Sequence, residues 1–145
     1  MNPSASAVLL DTCAVIWLAN GSPMHQHAEA SIVRAGLSSG IFVSPASAWE
    51  IGLLAKPRPS RGRSLKFEPD PKTWFARFAS GPGIRLADLT PSIAIDASWL
   101  PGDLHGDPGD RLIIATARHL RIPIVTRDSK IVAYAAAGHA EVIAC

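Results

Sequence analysis

The sequence predicts an α/β protein with a parallel sheet. Short, mostly apolar runs at residues 7–10, 41–43, 84–86 and 124–126 alternate with segments of helical character. That alternation is the pattern of βαβ units, which pair their strands in parallel. The run at 7–10 is continuously apolar, as is typical of a strand buried on both faces. Residues 141–143 add a possible edge strand, so we expect four to five strands.

The predicted helices begin at recognisable capping signals. Ser44 and Thr90 each precede a proline, which places a capping side chain before a residue suited to the first helical position. Asn20-Gly21, Gly36 and Gly138 are helix-end signals. We therefore expect helices over residues 12–19, 25–35, 45–55, 72–79, 91–99, 110–120 and 129–137.

Length and composition fit one cytoplasmic domain over residues 1–145. The chain is 48% hydrophobic and 18% charged, a globular rather than a disordered composition. Cys13 and Cys145 do not make a disulfide framework, and a reducing compartment is the simplest interpretation. The first residues lack the features of a signal peptide, and no apolar run reaches the length of a membrane span.

One strip of the chain is basic although the net charge is only +2. Between Glu50 and Glu68 there is no other acid, and the basic residues are Lys56, Arg58, Arg61, Arg63 and Lys66. Such a strip can bind phosphates, so Arg58, Arg61 and Arg63 are candidate contacts to the phosphates of a nucleic acid. A solvated loop kept soluble by its charges is an equally good explanation.

Four acids are placed where they could converge. Asp11 and Asp128 each follow a strand at its carboxyl end, Asp110 opens a helix, and Glu50 lies inside the helix after the second strand. Ligands of open parallel sheets bind outside the carboxyl ends of the strands. Converging carboxylates repel one another unless a cation is present, and Mg²⁺ and Mn²⁺ prefer such ligands. The cluster therefore indicates metal-assisted hydrolysis of a phosphodiester.

Helix capping is an alternative for the aspartates. Asp11 and Asp128 each directly precede a predicted helix, and Asp107 precedes Pro108 at a plausible first position. Asp110 would then lie in the first turn, where acids favour the helix dipole. Glu50 is beyond capping range, so it lies either on a narrow solvent-facing stripe or in a polar pocket.

Four segments contain the acids and their immediate neighbours: residues 8–18 (VLLDT followed by VIWL), 47–51 (SAWEI), 107–117 (DPGDRLIIATA) and 126–128 (TRD). These segments resemble the motifs of PIN-domain proteins, specifically the VapC-type toxins of bacterial toxin–antitoxin modules. Their order and spacing match over nearly the whole chain. This resemblance implies an α/β/α sandwich and a metal-dependent endoribonuclease that uses Mg²⁺ or Mn²⁺.

The same resemblance implies roles for individual residues and partners. The catalytic acids would be Asp11, Glu50, Asp110 and Asp128, and the metal ligands would be the three aspartates of that quartet. Residues expected beside the quartet or against substrate are Thr12, Ser47, Asp107 and Thr126. VapC-type toxins pair with a small VapB-like antitoxin and commonly form homodimers. Gly109 departs from the pattern, because many members have a bulky apolar residue there, and we expect a looser turn around Asp110.

The tryptophans and Cys13 have other expected roles. Trp17 and Trp49 lie among apolar residues of helices and are expected to pack in the core or at an interface. Cys13 is expected to be buried and inert, whereas Trp99 is the tryptophan expected near substrate. A haloacid-dehalogenase-like phosphatase would need an aspartate at position 13, where this chain has Cys13. A non-catalytic PIN-fold module, acting only in an antitoxin–DNA repressor complex, is the alternative function.

Overall fold

Short strands form a single parallel sheet in the computed structural model, which describes residues 6–57, 64–104 and 106–145. The strands are β1 (Val8–Leu10), β2 (Ile41–Val43), β3 (Ile84–Leu86), β4 (Ile124–Thr126) and β5 (Val142–Ala144). Their order across the sheet is β3-β2-β1-β4-β5, and every neighbouring pair is parallel. The predicted edge strand is therefore present, displaced by one residue. Because β2 and β4 flank β1, the carboxyl ends of these three strands lie side by side.

The helices follow the predicted capping signals closely. They are α1 (Thr12–Ala19), α2 (Gln26–Gly36), α3 (Pro45–Ala55), α4 (Pro71–Ala79), α5 (Pro91–Ser98), α6 (Pro108–Leu120) and α7 (Ser129–Ala136). The Ser44 and Thr90 side chains cap α3 and α5 as expected. Helix α6 begins two residues before the predicted Asp110, because Asp107 caps it and Pro108 occupies its first position.

The sheet lies between two helical layers because β1 is apolar on both faces. Val8 and Leu10 pack in one buried cluster with residues of α1 and α2, including Val15 and Ile32. The side chain of Leu9 points to the opposite face and belongs to a second cluster, formed mainly with α6 and α7. Successive side chains of a strand alternate between faces, so this one run of residues contributes to both cores. The fold is thus the predicted α/β/α sandwich.

Two features of the remaining chain bear on the predictions. Within the part of the chain that the structure describes, no helix is long and apolar enough to cross a membrane.

The candidate nucleic-acid contacts lie outside the described residues. They are Arg58, Arg61 and Arg63. Among the described residues that follow in sequence, Phe67 is buried edge-on against Trp74, with 4.9 Å between ring centroids.

Candidate active site

Asp11 lies at the centre of the sheet edge, where both of its carboxylate oxygens accept hydrogen bonds. The backbone N–H of Ala14 donates to Oδ1 at 2.8 Å, which caps α1. The hydroxyl of Thr126, the last residue of β4, donates to Oδ2. The residue is only 4% exposed, so its position is fixed. Burial raises the pKa of Asp11, and the bonds from Thr126 and Ala14 offset part of that rise.

Thr126 also connects Asp11 to Asp128. The backbone N–H of Asp128 donates to the Thr126 hydroxyl at 3.0 Å. The Asp128 carboxylate then caps α7 by accepting from the backbone N–H of Lys130 at 2.8 Å. Asp11 and Asp128 nevertheless both line one pocket. Asp11 and Asp128 therefore each cap a helix and also belong to the acidic site. The sequence had left these two roles as alternatives.

Glu50 points into this pocket from α3. The Thr12 hydroxyl donates to Glu50 Oε1 at 2.6 Å and lies 3.0 Å from the hydroxyl of the buried Ser47. Of the two environments considered for Glu50, the polar pocket is the one observed. The position of Glu50 follows from the topology. Helix α3 begins directly after β2, and β2 is the neighbour of β1 in the sheet. Desolvation raises the pKa of Glu50 although the Thr12 bond lowers it in part.

Asp107 and Asp110 approach Glu50 from the start of α6. Asp107 Oδ1 accepts from the backbone N–H of Asp110 at 2.9 Å, which is the predicted cap. One carboxylate oxygen from each of Glu50, Asp107 and Asp110 lies within 4.8 Å of the others. Desolvation, followed by the charges of Asp107 and Glu50, raises the pKa of Asp110 to about 7. This close group shares only Asp110 with the expected ligands Asp11, Asp110 and Asp128.

Gly109 explains how Glu50 reaches this position. A Cβ at Gly109 would stand 2.7 Å from Glu50 Cδ and 2.9 Å from both Cγ and Oε1. The residue is buried in the first turn of α6. Gly109 permits a tight approach between α6 and the Glu50 side chain, and the looser turn expected around Asp110 stays a prediction. The departure from the family pattern singles out Gly109 in the sequence. Only the structure shows that the missing side chain makes room for Glu50.

The acids share a cavity of about 330 Å³. Its lining residues are Asp11, Thr12, Cys13, Trp49, Glu50, Leu53, Leu54, Asp107, Asp110 and Asp128. Several carboxylates facing one another at this spacing disfavour their own ionisation, as the raised pKa of Asp110 indicates. A hard divalent cation with oxygen ligands would relieve that repulsion. The residues present therefore fit a Mg²⁺ or Mn²⁺ ion.

Two tryptophans and a cysteine do not lie where the sequence predicted. Trp49 is 51% exposed and lines the acidic cavity, so it does not pack in the core, and packing at an interface stays a prediction. Trp99 is 82% exposed and lines a different depression with Asp96 and Arg118. Cys13 is exposed at the acidic cavity, where desolvation and the nearby carboxylates raise its pKa to about 11. The Cys13 thiol is therefore protonated at neutral pH and is no nucleophile.

The chain matches known proteins over most of its length. The model of the PIN domain family matches residues 8–137. Ribonuclease VapC22 of Mycobacterium tuberculosis is 30% identical over 127 residues, which are 87% of this chain and 90% of that protein. The fold is similar to that in the crystal structure of VapBC2 from Rickettsia felis bound to a promoter DNA fragment. That similarity has a TM-score of 0.65 and 14% identity, over 96% of this chain and 98% of the other. With its four motifs in register on this fold, the chain belongs to the PIN domain family, among its VapC-type proteins.

Proposed function

We propose that this chain is a metal-dependent endoribonuclease, the toxin of a toxin–antitoxin module. The observation that carries the proposal is the grouping of the Glu50, Asp107 and Asp110 carboxylates within 4.8 Å, in a cavity that Asp11 and Asp128 also line. Membership of the PIN domain family supports a nuclease. The name of the relative from Mycobacterium tuberculosis, a ribonuclease, supports RNA as the substrate.

The proposed cofactor is Mg²⁺ or Mn²⁺. Glu50, Asp107 and Asp110 would hold it, and Asp11 and Asp128 remain candidate ligands on the same cavity. A divalent cation supplies an activated water and neutralises the charge that develops on the phosphate. The protein's part is to keep the acids in place without rearrangement, which the capping bonds of Asp11, Asp107 and Asp128 do.

Glu50 is suited to handling the proton of the attacking water. Thr12 binds one of its oxygens, Oε1, and so orients the carboxylate toward the cavity. Desolvation raises its pKa, which brings the carboxylate closer to the range where it can accept a proton at neutral pH. Desolvation and the neighbouring carboxylates raise the pKa of Asp110 to about 7, so this carboxyl group is protonated in part at neutral pH, and a bound cation would favour its ionised form.

The proposal includes a cognate VapB-like antitoxin, a cytoplasmic site of action, and either a homodimer or a toxin–antitoxin hetero-oligomer. Its support is the VapC-type family membership. We also propose that the full chain, residues 1–145, acts as one nuclease domain. The intact set of acids disfavours the non-catalytic alternative, because a module without chemistry gains nothing from carboxylates that repel one another.

The decisive experiment uses purified protein freed of any partner and total cellular RNA. Cleavage is expected with Mg²⁺ or Mn²⁺ and is expected to stop with EDTA. Asp11→Asn and Asp110→Asn should each lower cleavage about 100-fold or more while circular dichroism shows a folded protein. Equal cleavage by wild-type and variant preparations would mean that a contaminating nuclease is responsible. A wild-type protein that cuts no RNA with either metal would favour the non-catalytic module.

A further inference from the structure

The acidic cavity has one apolar wall, which comes from α3. Trp49, Leu53 and Leu54 line it together with Glu50. Trp49 is 51% exposed, so its indole offers a large uncovered surface to the cavity. In the described part of the chain, other large apolar residues are at least as exposed, including Leu37, Ile95 and Trp99, but none of these lines the acidic cavity. Trp49 is therefore the aromatic side chain that combines exposure with direct access to the carboxylates.

The charge of the cavity makes this wall important for substrate binding. The titratable residues that line it are five acids and Cys13, and among the described residues none of its lining is basic. A phosphate in the cavity consequently gains no ion pair from the described lining residues, and Arg127, whose charge acts on Asp11, lies outside that lining. Stacking of a base on an aromatic ring adds affinity that is independent of the phosphate charge.

We propose that Trp49 stacks on a nucleobase next to the scissile phosphate and so positions single-stranded RNA in the cavity. This inference rests on the proposed nuclease function. Trp49 is adjacent to Glu50 in sequence, and a base is separated from its phosphate by one sugar. A phosphate held at the carboxylates therefore brings a neighbouring base within reach of the indole. Leu53, one helical turn beyond Trp49, extends the same face of α3.

The stacking interaction has consequences that differ from those of a general surface contact. It depends on an aromatic face, so phenylalanine can replace the indole in large part and leucine cannot. It accepts any base, because every base has a π-face. It neutralises no phosphate, so its loss lowers affinity by the same factor at every salt concentration. Trp49 acts as a positioning residue for the substrate.

The test measures binding of a short single-stranded oligoribonucleotide of mixed sequence by fluorescence anisotropy with Mg²⁺. All proteins carry Asp11→Asn so that the probe is not cleaved. Trp49→Leu should weaken binding about tenfold, and Trp49→Phe should retain most of the affinity. Trp99→Leu is the matched control, because it removes an even more exposed tryptophan from a different surface. The control should bind as well as its parent, and the salt slope of Trp49→Leu should equal that of its parent.

The outcomes separate this inference from the nuclease proposal. Unchanged RNA affinity in Trp49→Leu, with cleavage still abolished by Asp110→Asn in the otherwise native chain, leaves the nuclease intact and removes the stacking site. Equal losses in Trp49→Leu and Trp49→Phe, or in Trp49→Leu and Trp99→Leu, also overturn stacking. A third outcome is that Trp49→Leu weakens RNA binding although the native chain cuts no RNA. The stacking site is then supported, and the nuclease proposal fails.

Discussion

Replacing Gly109 with alanine adds a single methyl group directly against the Glu50 side chain. The new Cβ would lie 2.7 Å from Glu50 Cδ, whereas ordinary van der Waals contact begins at 3.4 Å. Glu50 must therefore retreat by about 0.7 Å or more, since the contact is strongly repulsive at the native distance. Because the obstructing atoms belong to a flexible side chain and not to backbone, the protein can accommodate the methyl group by moving the carboxylate.

The expected result is a large loss of activity with little change in stability. Displacement of Glu50 lengthens its 2.6 Å bond from Thr12 and disperses the group formed with Asp107 and Asp110. Misplacing a catalytic group by about 1 Å can cost about 100-fold in rate. Alanine is the better helix former by up to about 1 kcal/mol, which offsets the weakened hydrogen bond. We expect cleavage to fall about 100-fold, with a free energy of unfolding within about 1 kcal/mol of wild type.

Gly52→Ala is a matched control for this substitution. Gly52 lies in α3, two residues from Glu50, and a Cβ there would meet no atom within 4 Å. That variant should gain up to about 1 kcal/mol of stability and cut RNA at the wild-type rate. The assay combines RNA cleavage, urea unfolding, and calorimetric titration with Mn²⁺ of each purified protein. Gly109→Ala should bind Mn²⁺ more weakly than Gly52→Ala, because one of the grouped carboxylates has moved.

A second substitution isolates the route through Glu50. In a Glu50→Ala background the three atoms nearest to the added methyl group are absent, so Gly109→Ala should cause no further loss of Mn²⁺ affinity. The reasoning is refuted if Gly109→Ala cleaves RNA at the wild-type rate. It is equally refuted if Gly109→Ala weakens Mn²⁺ binding by the same factor in the wild-type and Glu50→Ala backgrounds. The effect would then not depend on the Glu50 side chain.

Three further perturbations test the electrostatics of the site and the basic strip. Thr126→Val should lower the free energy of unfolding by about 1–3 kcal/mol in urea, because the buried Asp11 carboxylate loses a donor; a change below about 0.5 kcal/mol would contradict this. Raising the pH from about 5 to about 8 in EDTA should lower that free energy by about 1–2 kcal/mol. The reason is that folded Asp110, with its pKa raised from 3.8 to about 7, retains a proton that the unfolded chain has released. An Asp110→Asn variant with the same pH slope would exclude Asp110 as the cause. Joint replacement of Arg58, Arg61 and Arg63 by serine should weaken RNA binding and flatten the dependence of RNA affinity on salt concentration. An unchanged salt dependence would mean that the basic strip serves solubility only.

Local sequence signals predicted the elements of the fold because each signal acts within a few residues. A capping side chain before proline fixes where a helix begins, as Ser44 and Thr90 do. A run such as residues 7–10 can be buried only as a central strand, and β1 is indeed the middle of the sheet. Parallel strands end at the same edge of the sheet, so Asp11 and Asp128 were predictable as residues of that edge. Their proximity also requires β1 and β4 to be neighbours, which the structure shows and no local pattern encodes.

The details that depend on two helices meeting were not predictable in the same way. The approach of α6 to α3 decides that Asp107 joins Glu50 and Asp110, and no local pattern encodes that approach. The exposure of Trp49 has the same origin. Its apolar neighbours in α3 suggested burial, but Trp49 lines the acidic cavity together with Glu50 and is half exposed. Consecutive residues of a helix do not face the same side, so helical spacing did not indicate that both side chains would reach one cavity.

The double use of the aspartates determines how the site should be probed. Asp11, Asp107 and Asp128 each hold a helix N-terminus and also line the cavity, so alanine at any of them removes a cap together with a charge. Loss of a cap costs about 1 kcal/mol, and activity and stability would fall together. Asparagine caps a helix about as well as aspartate but carries no charge. Inactive asparagine variants that unfold like the wild type would therefore locate the chemistry in the carboxylate, whereas active ones would reduce these residues to helix caps.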